Sequence, residues 1–253
     1  MQTSGLSVLV TSGGTIEDID TVRSITNHST GRLGCLVADE FSRAGARVTY
    51  ICGENAARPG LPPEQTLTIR SAGQLASTLE RLLRKRTFDC VVHAMAVSDF
   101  TPTGVFTPAQ LASALEHRIS NGKLSPEAVE EALRSAARQP EKKISSRSGQ
   151  LLLALEQTPK AIGMIKTLQP GTLLVGFKLL SGAGEDELIA AGRELIRQNG
   201  CDLVLLNDLT GISADGHQAM LMDASGVLRR AGTKPEIARM IFEQVLTRKG
   251  VAI

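Results

Sequence analysis

Cysteine is scarce in this 253-residue chain, which holds only Cys35, Cys52, Cys90 and Cys201, far apart and with no C-x-x-C spacing. That excludes a disulfide framework and a thiolate zinc site, and it fits a reduced, cytoplasmic setting. Histidine is as sparse: His28, His93, His117 and His217 lie scattered, so no metal is assigned to histidine. No apolar run is long enough to cross a membrane. The N-terminal string MQTSGLSVLVTSGG has no basic n-region and reads as a first strand, not as a signal peptide. Charge of one sign is nowhere concentrated. The net charge is +2, with Lys and Arg dispersed, so neither nucleic acid nor a membrane surface is an expected partner. The short basic run at 81–86 falls late in a predicted helix, where cations favour the helix dipole. Internal repeats and low-complexity tracts are absent.

What is present is an alternation. Short apolar runs suited to buried parallel strands recur at 7–10, 48–51, 90–92, 173–175 and 203–206. Amphipathic stretches of helical length separate or follow them at 33–44, 72–83, 159–168, 186–197 and 235–247. This pattern predicts a doubly wound, Rossmann-like α/β fold with a mostly parallel sheet, whose ligands sit beyond the carboxyl ends of the strands. Residues 218–222 and 227–230, around Ala224-Ser225-Gly226, predict a β-hairpin at the sheet edge. Residues 101–139 are polar, Ala-rich, helical in character and without a strong strand signal, and read as an insertion or flap.

Ser12-Gly13-Gly14-Thr15 follows the first strand, where missing Cβ atoms allow backbone N–H groups to approach an anion. A glycine pair there is more often a tight turn. The next fifteen residues, 17–31, form a long polar loop where an ordinary dinucleotide fold would start its helix at once, and loops of such length are usually functional or disordered. Ser29-Thr30-Gly31 is an N-cap signal for the following helix, which makes its N-terminus a second candidate anion site. Glu54, after the second strand, stands near the spacing of a ribose-binding acid, so an NAD(P)-dependent oxidoreductase is the alternative function. Against it, the glycines after the first strand lack the third member of the fingerprint, and Gly31-x-x-Gly34 does not follow a strand.

The string SGGTIEDIDTVRSITNHSTGRLG closely resembles the start of phosphopantothenate:cysteine ligases, with a Gly-Gly-Thr turn, an Asp-x-Val-Arg stretch and an Asn-x-Ser-Thr-Gly motif. The likeness continues through residues 94–100, Lys143-Ile144-Ser145-Ser146, residues 175–178 and Asn207-Asp208, and so spans most of the chain. It is nearest to the stand-alone bacterial form. The resemblance implies one α/β nucleotide-binding ligase domain over 1–253, with the insertion or flap at about 101–147, and a homodimer, for which the apolar edge hairpin offers an interface. It implies a nucleoside-triphosphate-dependent acid:amino-acid ligase of coenzyme A synthesis. The carboxylate of 4′-phosphopantothenate is activated by CTP, or ATP, with Mg²⁺, and the amide forms with L-cysteine. A non-catalytic nucleotide-binding protein of the same fold is the remaining alternative.

Residue by residue, the resemblance places Asn27 on the acyl oxygen, where an amide donates without the charge that would repel a carboxylate. Lys143 is the flap lysine that follows the α-phosphate, with Lys142 adjacent in register. Ser145 and Ser146 stand where bacterial relatives carry further lysines. Arg23 suits the substrate phosphate or carboxylate. Met95 and Ala96 form a backbone platform. Gly13, Gly14, Thr15, Ser29, Thr30 and Gly31 serve the nucleotide phosphates. Asp99 is read at the end of the third strand, toward the nucleotide or Mg²⁺, with a helix cap as its plain alternative. Phe177 follows the strand at 173–175 and stacks on the base, and Lys178 and Asn207 join it at the nucleotide. Lys178 resembles the Phe-Lys-Leu pattern of ATP-using eukaryotic relatives, which leaves the nucleotide open.

Overall fold

The computed structural model describes residues 5–119, 123–136, 144, 149–212 and 216–251. Two compact units divide the chain: Met1–Thr15, His28–Val97 and Lys160–Ile253 form one, and Ile16–Asn27 with Ser98–Pro159 form the other.

The first unit holds an eight-stranded sheet. Its strands are β1 (Ser7–Ser12), β4 (Arg47–Gly53), β5 (Gln65–Ile69), β6 (Cys90–His93), β9 (Leu173–Leu180), β10 (Leu203–Ile212), β11 (His217–Asp223) and β12 (Gly226–Ala231). The order is β12-β11-β10-β9-β6-β1-β4-β5. Pairing is parallel from β10 to β5 and antiparallel at β10-β11 and β11-β12, so the doubly wound sheet and its edge hairpin stand as the apolar runs indicate.

Strand alternation sends side chains to two cores. On one face α1 (Arg32–Arg43) and α7 (Lys234–Arg248) pack on Val8, Val10, Val92, Val175 and Leu205, with Phe41 and Phe242 edge to face at 5.2 Å between centroids. On the other, α2 (Ala72–Lys85), α5 (Ala161–Leu168) and α6 (Glu185–Asn199) cover Leu9, Val91, Leu174 and Val204. Each fully buried Leu or Phe contributes about 1.5–3 kcal/mol, so these faces supply most of the unit's stability.

The second unit is built from two ribbons and two helices. β2 (Ile16–Asp18) pairs antiparallel with β3 (Ser24–Thr26), and β7 (Phe100–Phe106) with β8 (Leu152–Gln157). α3 (Pro108–Glu116) opens on a capping box between Thr107 and Gln110, and α4 (Pro126–Ala136) follows. Two readings change here. The stretch 101–139 is not purely helical, since β7 opens it, and the polar loop at 17–31 carries a hairpin with Ile16 opposite Thr26. The chain enters the second unit after β1 and again beyond β6, two strands adjacent at the sheet centre, so both insertions leave from the carboxyl edge.

Candidate active site

In the first unit the glycine turn is fixed by packing. Gly13 has φ +84°, and an added Cβ would collide with Ala56; a Cβ on Gly34 would run into the Ser12 side chain. Ser12 Oγ donates to Gly31 O at 2.8 Å, so the N-terminus of α1 is drawn onto the end of β1. The turn is held from the other side by the segment after β6. Ala96 N donates to Gly13 O at 2.8 Å and Thr15 N to Ala96 O at 3.2 Å. Met95 N donates to Thr11 Oγ1, whose hydroxyl also meets His93 Nδ1 at 2.9 Å. Met95 is buried in the core, and it is the backbone of Met95 and Ala96 that shapes the turn. Burial lowers the pKa of His93 to about 4, so the ring is neutral at pH 7.

The N-cap signal for α1 at Ser29-Thr30-Gly31 falls on its last residue. The N-cap is Gly31, left-handed at φ 74°, with no side-chain hydrogen bond and no acid in the first turn. Thr30, just before it, accepts from Arg32 N through Oγ1 at 3.5 Å. A residue with φ above zero at this point turns the chain sharply into the helix, which glycine does at no steric cost. Gly31 itself brings no side-chain acceptor to the helix start.

Phe177 does not follow its strand but lies within β9, and Asn207 lies within β10. By alternation Phe177 shares a face with Leu173 and Val175, and it packs on the α1/α7 core. Asn207 shares that face with Leu203 and Leu205, and it lines a cavity of about 480 Å³ with Asp208, Thr210 and Gln218. Asn207 Nδ2 lies 3.3 Å from His217 Nε2. Phe177, Asn207 and His217 thus lie on the side of the sheet covered by α1 and α7, with Asn207 and His217 in contact. Lys178, one residue on from Phe177, falls on the opposite face. Asp208 accepts from Ala183 N and Thr210 N, each at 2.8 Å, which ties β10 to the approach to α6. The Thr210 hydroxyl, then the Ala183 N–H, lower its pKa to about 2.

In the second unit the polar loop is organised by a residue to which the motif had assigned no role. Asp20 is only 5% exposed. Its carboxylate accepts from the N–H groups of Val22 and Arg23 at 2.7 Å, from Arg23 Nη1 at 2.8 Å and from Ile144 N at 3.0 Å. The Ile144 N–H is the leading cause of its low pKa, about 2. Arg23 is thus held by an ion pair, and it also reaches Ile144 O at 3.4 Å. Glu17, 3% exposed, accepts from Thr101 Oγ1 at 3.1 Å. Asn27 lies exposed just past β3. Asp99 does not end a strand: β6 stops at His93, and Asp99 immediately precedes β7, with its carbonyl accepting from Thr158 N at 3.0 Å. No helix starts there, so it is not a helix cap. Lys142, Lys143, Ser145 and Ser146 lie outside the described residues.

Among the described residues no three His, Cys, Asp or Glu side chains cluster as a metal site. The donor set fits Mg²⁺ only as a companion of ligand phosphates, since this ion keeps its waters and needs few carboxylates. All four cysteines are buried and free, and burial raises their pKa values, Cys201 to about 12. Glu54 pairs with Arg70, so the acid that suggested a ribose site is engaged elsewhere. Among the described residues no helix is long and apolar enough to cross a membrane.

The fold defines a Rossmann-like α/β protein with a mostly parallel sheet. The family model for the DNA/pantothenate metabolism flavoprotein C-terminal domain matches residues 3–113 and 132–248, and the chain belongs to that family. It is 33% identical over 244 residues to the coenzyme A biosynthesis bifunctional protein CoaBC of Thermococcus kodakarensis, covering 95% of this chain and 51% of that protein. The chain thus spans about half the length of such a relative. A solved DNA/pantothenate metabolism flavoprotein from Streptococcus pneumoniae superposes with TM-score 0.82 at 34% identity, covering 96% of this chain and all of that one. A Cab2 variant in complex with phosphopantothenate-cysteine superposes with TM-score 0.64 at 18% identity, covering 97% of this chain and 89% of that one, a likeness of fold.

Proposed function

We propose that this chain is a phosphopantothenate:cysteine ligase of coenzyme A synthesis. The observation that carries the reading is the glycine turn after β1, with Gly13 packed against Ala56 and the start of α1 drawn onto it by Ser12. Family membership, and relatives named for coenzyme A biosynthesis, supply the substrate class. The carboxylate of 4′-phosphopantothenate attacks the α-phosphorus of a nucleoside triphosphate. A carboxylate O–P bond forms as the bond to the bridging oxygen breaks, and pyrophosphate leaves. The cysteine amine then attacks the acyl carbon, loses a proton and expels the nucleoside monophosphate. The protein's contribution is to place the reactants and balance charge.

In this reading the glycine turn and the end of α1 hold phosphate, Phe177 meets the base and Asn207 its sugar or base. Asn27 donates to the acyl oxygen, Arg23 binds the acid substrate from the platform Asp20 provides, and Lys143 follows the α-phosphate. CTP is the nucleotide of choice, with ATP the alternative, and Mg²⁺ travels with its phosphates. The setting is cytoplasmic, which suits four buried, unpaired thiols.

A homodimer completes the proposal, through a surface other than the edge hairpin. β12 exposes Arg229 and Arg230, paired to Glu243 and Glu185, and is polar. The β7-β8 ribbon instead exposes Phe100, Leu152, Leu153 and Leu155, each at 37–45%. Apolar side chains grouped on a two-stranded ribbon are the kind of surface a second copy covers.

The activity is tested by mass spectrometry of the product. Phosphopantothenate, cysteine, Mg²⁺ and either nucleotide are expected to yield phosphopantothenoylcysteine, and absence of that amide with both nucleotides contradicts the proposal.

A further inference from the structure

The turn between β2 and β3 closes on its own backbone, with Ile19 N and Asp20 N donating to Arg23 O at 2.8 and 3.2 Å. The Asp20 side chain is fully buried, and its two oxygens have separate tasks. Oδ1 accepts from Val22 N and Arg23 N, each at 2.7 Å, the local pattern by which an aspartate shapes the turn it begins. Oδ2 accepts from Arg23 Nη1 at 2.8 Å and from Ile144 N at 3.0 Å. Arg23 Nη1 also donates to Ile144 O at 3.4 Å. The Oδ2 atom, the guanidinium and the main chain of residue 144 therefore form a closed ring.

The turn needs none of the Oδ2 bonds. An uncharged Asn or Ser would serve it without the cost of burying a carboxylate. What the charge adds is the second pair of bonds, one of which spans 124 positions of the chain. Residue 144 is gripped by its backbone N–H and carbonyl, so its side chain plays no part in the ring. The N–H in question belongs to the peptide bond formed with Lys143, which puts the grip one residue from that lysine. Arg23 meanwhile keeps 42% of its side chain exposed, so the ring orients the guanidinium without burying it. Asp20 and Ile144 belong to the same compact unit, which lets their contact act as a fixed joint within it.

We infer that Asp20 is a positioning residue: through Oδ2 it sets the Arg23 guanidinium and the chain beside Lys143 in one register, so that two cations meet the substrate as a preset pair. Preset charges need no reorganisation as the carboxylate attacks the α-phosphorus, which is where such a joint lowers the barrier. What the pair meets rests on the ligase reading, whereas the ring itself does not.

Amide exchange on the unliganded full chain tests the ring without any turnover. With isotope-labelled isoleucine, and the Ile144 signal assigned by its loss in Ile144→Val, that N–H is expected to be slowed by about 100-fold against an open chain in wild type and by less than about tenfold in Asp20→Asn. Asn turns its amide oxygen to the two N–H groups of the turn and its amide nitrogen to Arg23 and Ile144, so the turn stays and the ring opens. The second readout is acyl nucleotidylate formation in single turnover without cysteine. Asp20→Asn is expected to lower its rate by about tenfold, the size of one charge-assisted hydrogen bond, with the nucleotide KM unchanged. In a Lys143→Gln background the same substitution is expected to cost no more than about threefold, because the lysine that the ring aligns is gone; a merely structural role costs the same in both backgrounds. The inference is overturned if the wild-type Ile144 amide exchanges like an open chain, if its protection survives Asp20→Asn, or if the two costs are equal. A protected Ile144 amide in a chain without ligase turnover keeps the ring and rejects the ligase reading; turnover with that amide unprotected does the reverse.

Discussion

Asn27 and His93 differ in kind, the one proposed to act on substrate and the other a buried structural tie. Asn27 is exposed beyond β3, and its assigned role depends on being uncharged. Replacing it with Asp sets a carboxylate against the substrate's own carboxylate, so Asn27→Asp is expected to lower formation of the acyl nucleotidylate by at least about 100-fold, measured in single turnover without cysteine. Near-normal formation would remove Asn27 from the site. His93 is a buried tie between β1 and the glycine turn, and its pKa of about 4 lies below the unfolded value of 6.5. A depressed histidine adds stability that is complete above pH 6.5 and is lost as pH falls toward 4, because the unfolded chain takes up the proton first. The shift corresponds to roughly 3 kcal/mol. Denaturant titrations from pH 7 to pH 4 should show this loss in wild type and a flatter profile in His93→Gln; parallel profiles would assign the acid sensitivity to other groups. The motif glycines, Asn27 and Arg23 are legible in the sequence because the motif is local. The bonds that hold Arg23 are not, since Asp20 meets Ile144 across 124 positions.

At the scale of the element, the parallel strands announce themselves because both of their faces are buried, which demands continuous apolar runs such as Ser7–Ser12. β5 is hidden for the opposite reason. It is an edge strand of alternating exposure, Gln65–Ile69, and three polar residues in five blur its signal. β7 contains Pro102 and Gly104, both unfavourable in strands, and its partner β8 arrives some fifty residues later. The N-cap signal at Ser29-Thr30-Gly31 resolves onto Gly31, by its left-handed turn, while the Thr30 hydroxyl accepts from Arg32 N. The close contact of α1 with β1 yields a prediction at this scale. Gly34→Ala would push a methyl group into Ser12, so a loss of about 1–3 kcal/mol is expected by urea unfolding, together with weaker nucleotide binding. Unchanged stability would mean that the helix end moves freely enough to serve as no fixed phosphate site.

For the whole molecule, the chain divides into two units; the insertion at about 101–147 was legible in the sequence, but the share that Ile16–Asn27 contributes to the same unit was not. The segment between β1 and α1 looks like a loop only while its companion, a hundred residues on, is out of view. The ribbon in that unit carries the dimer proposal. Light scattering is expected to give twice the chain mass for wild type and a shift toward monomer for Leu153→Asp with Leu155→Asp; a wild-type monomer would contradict it. The most direct test of the central claim is pyrophosphate release, followed in parallel with CTP and with ATP, each with and without phosphopantothenate and cysteine. Release that requires phosphopantothenate, begins without cysteine and becomes catalytic when cysteine is added is the predicted result. Release independent of phosphopantothenate, or none with either nucleotide, would contradict the account.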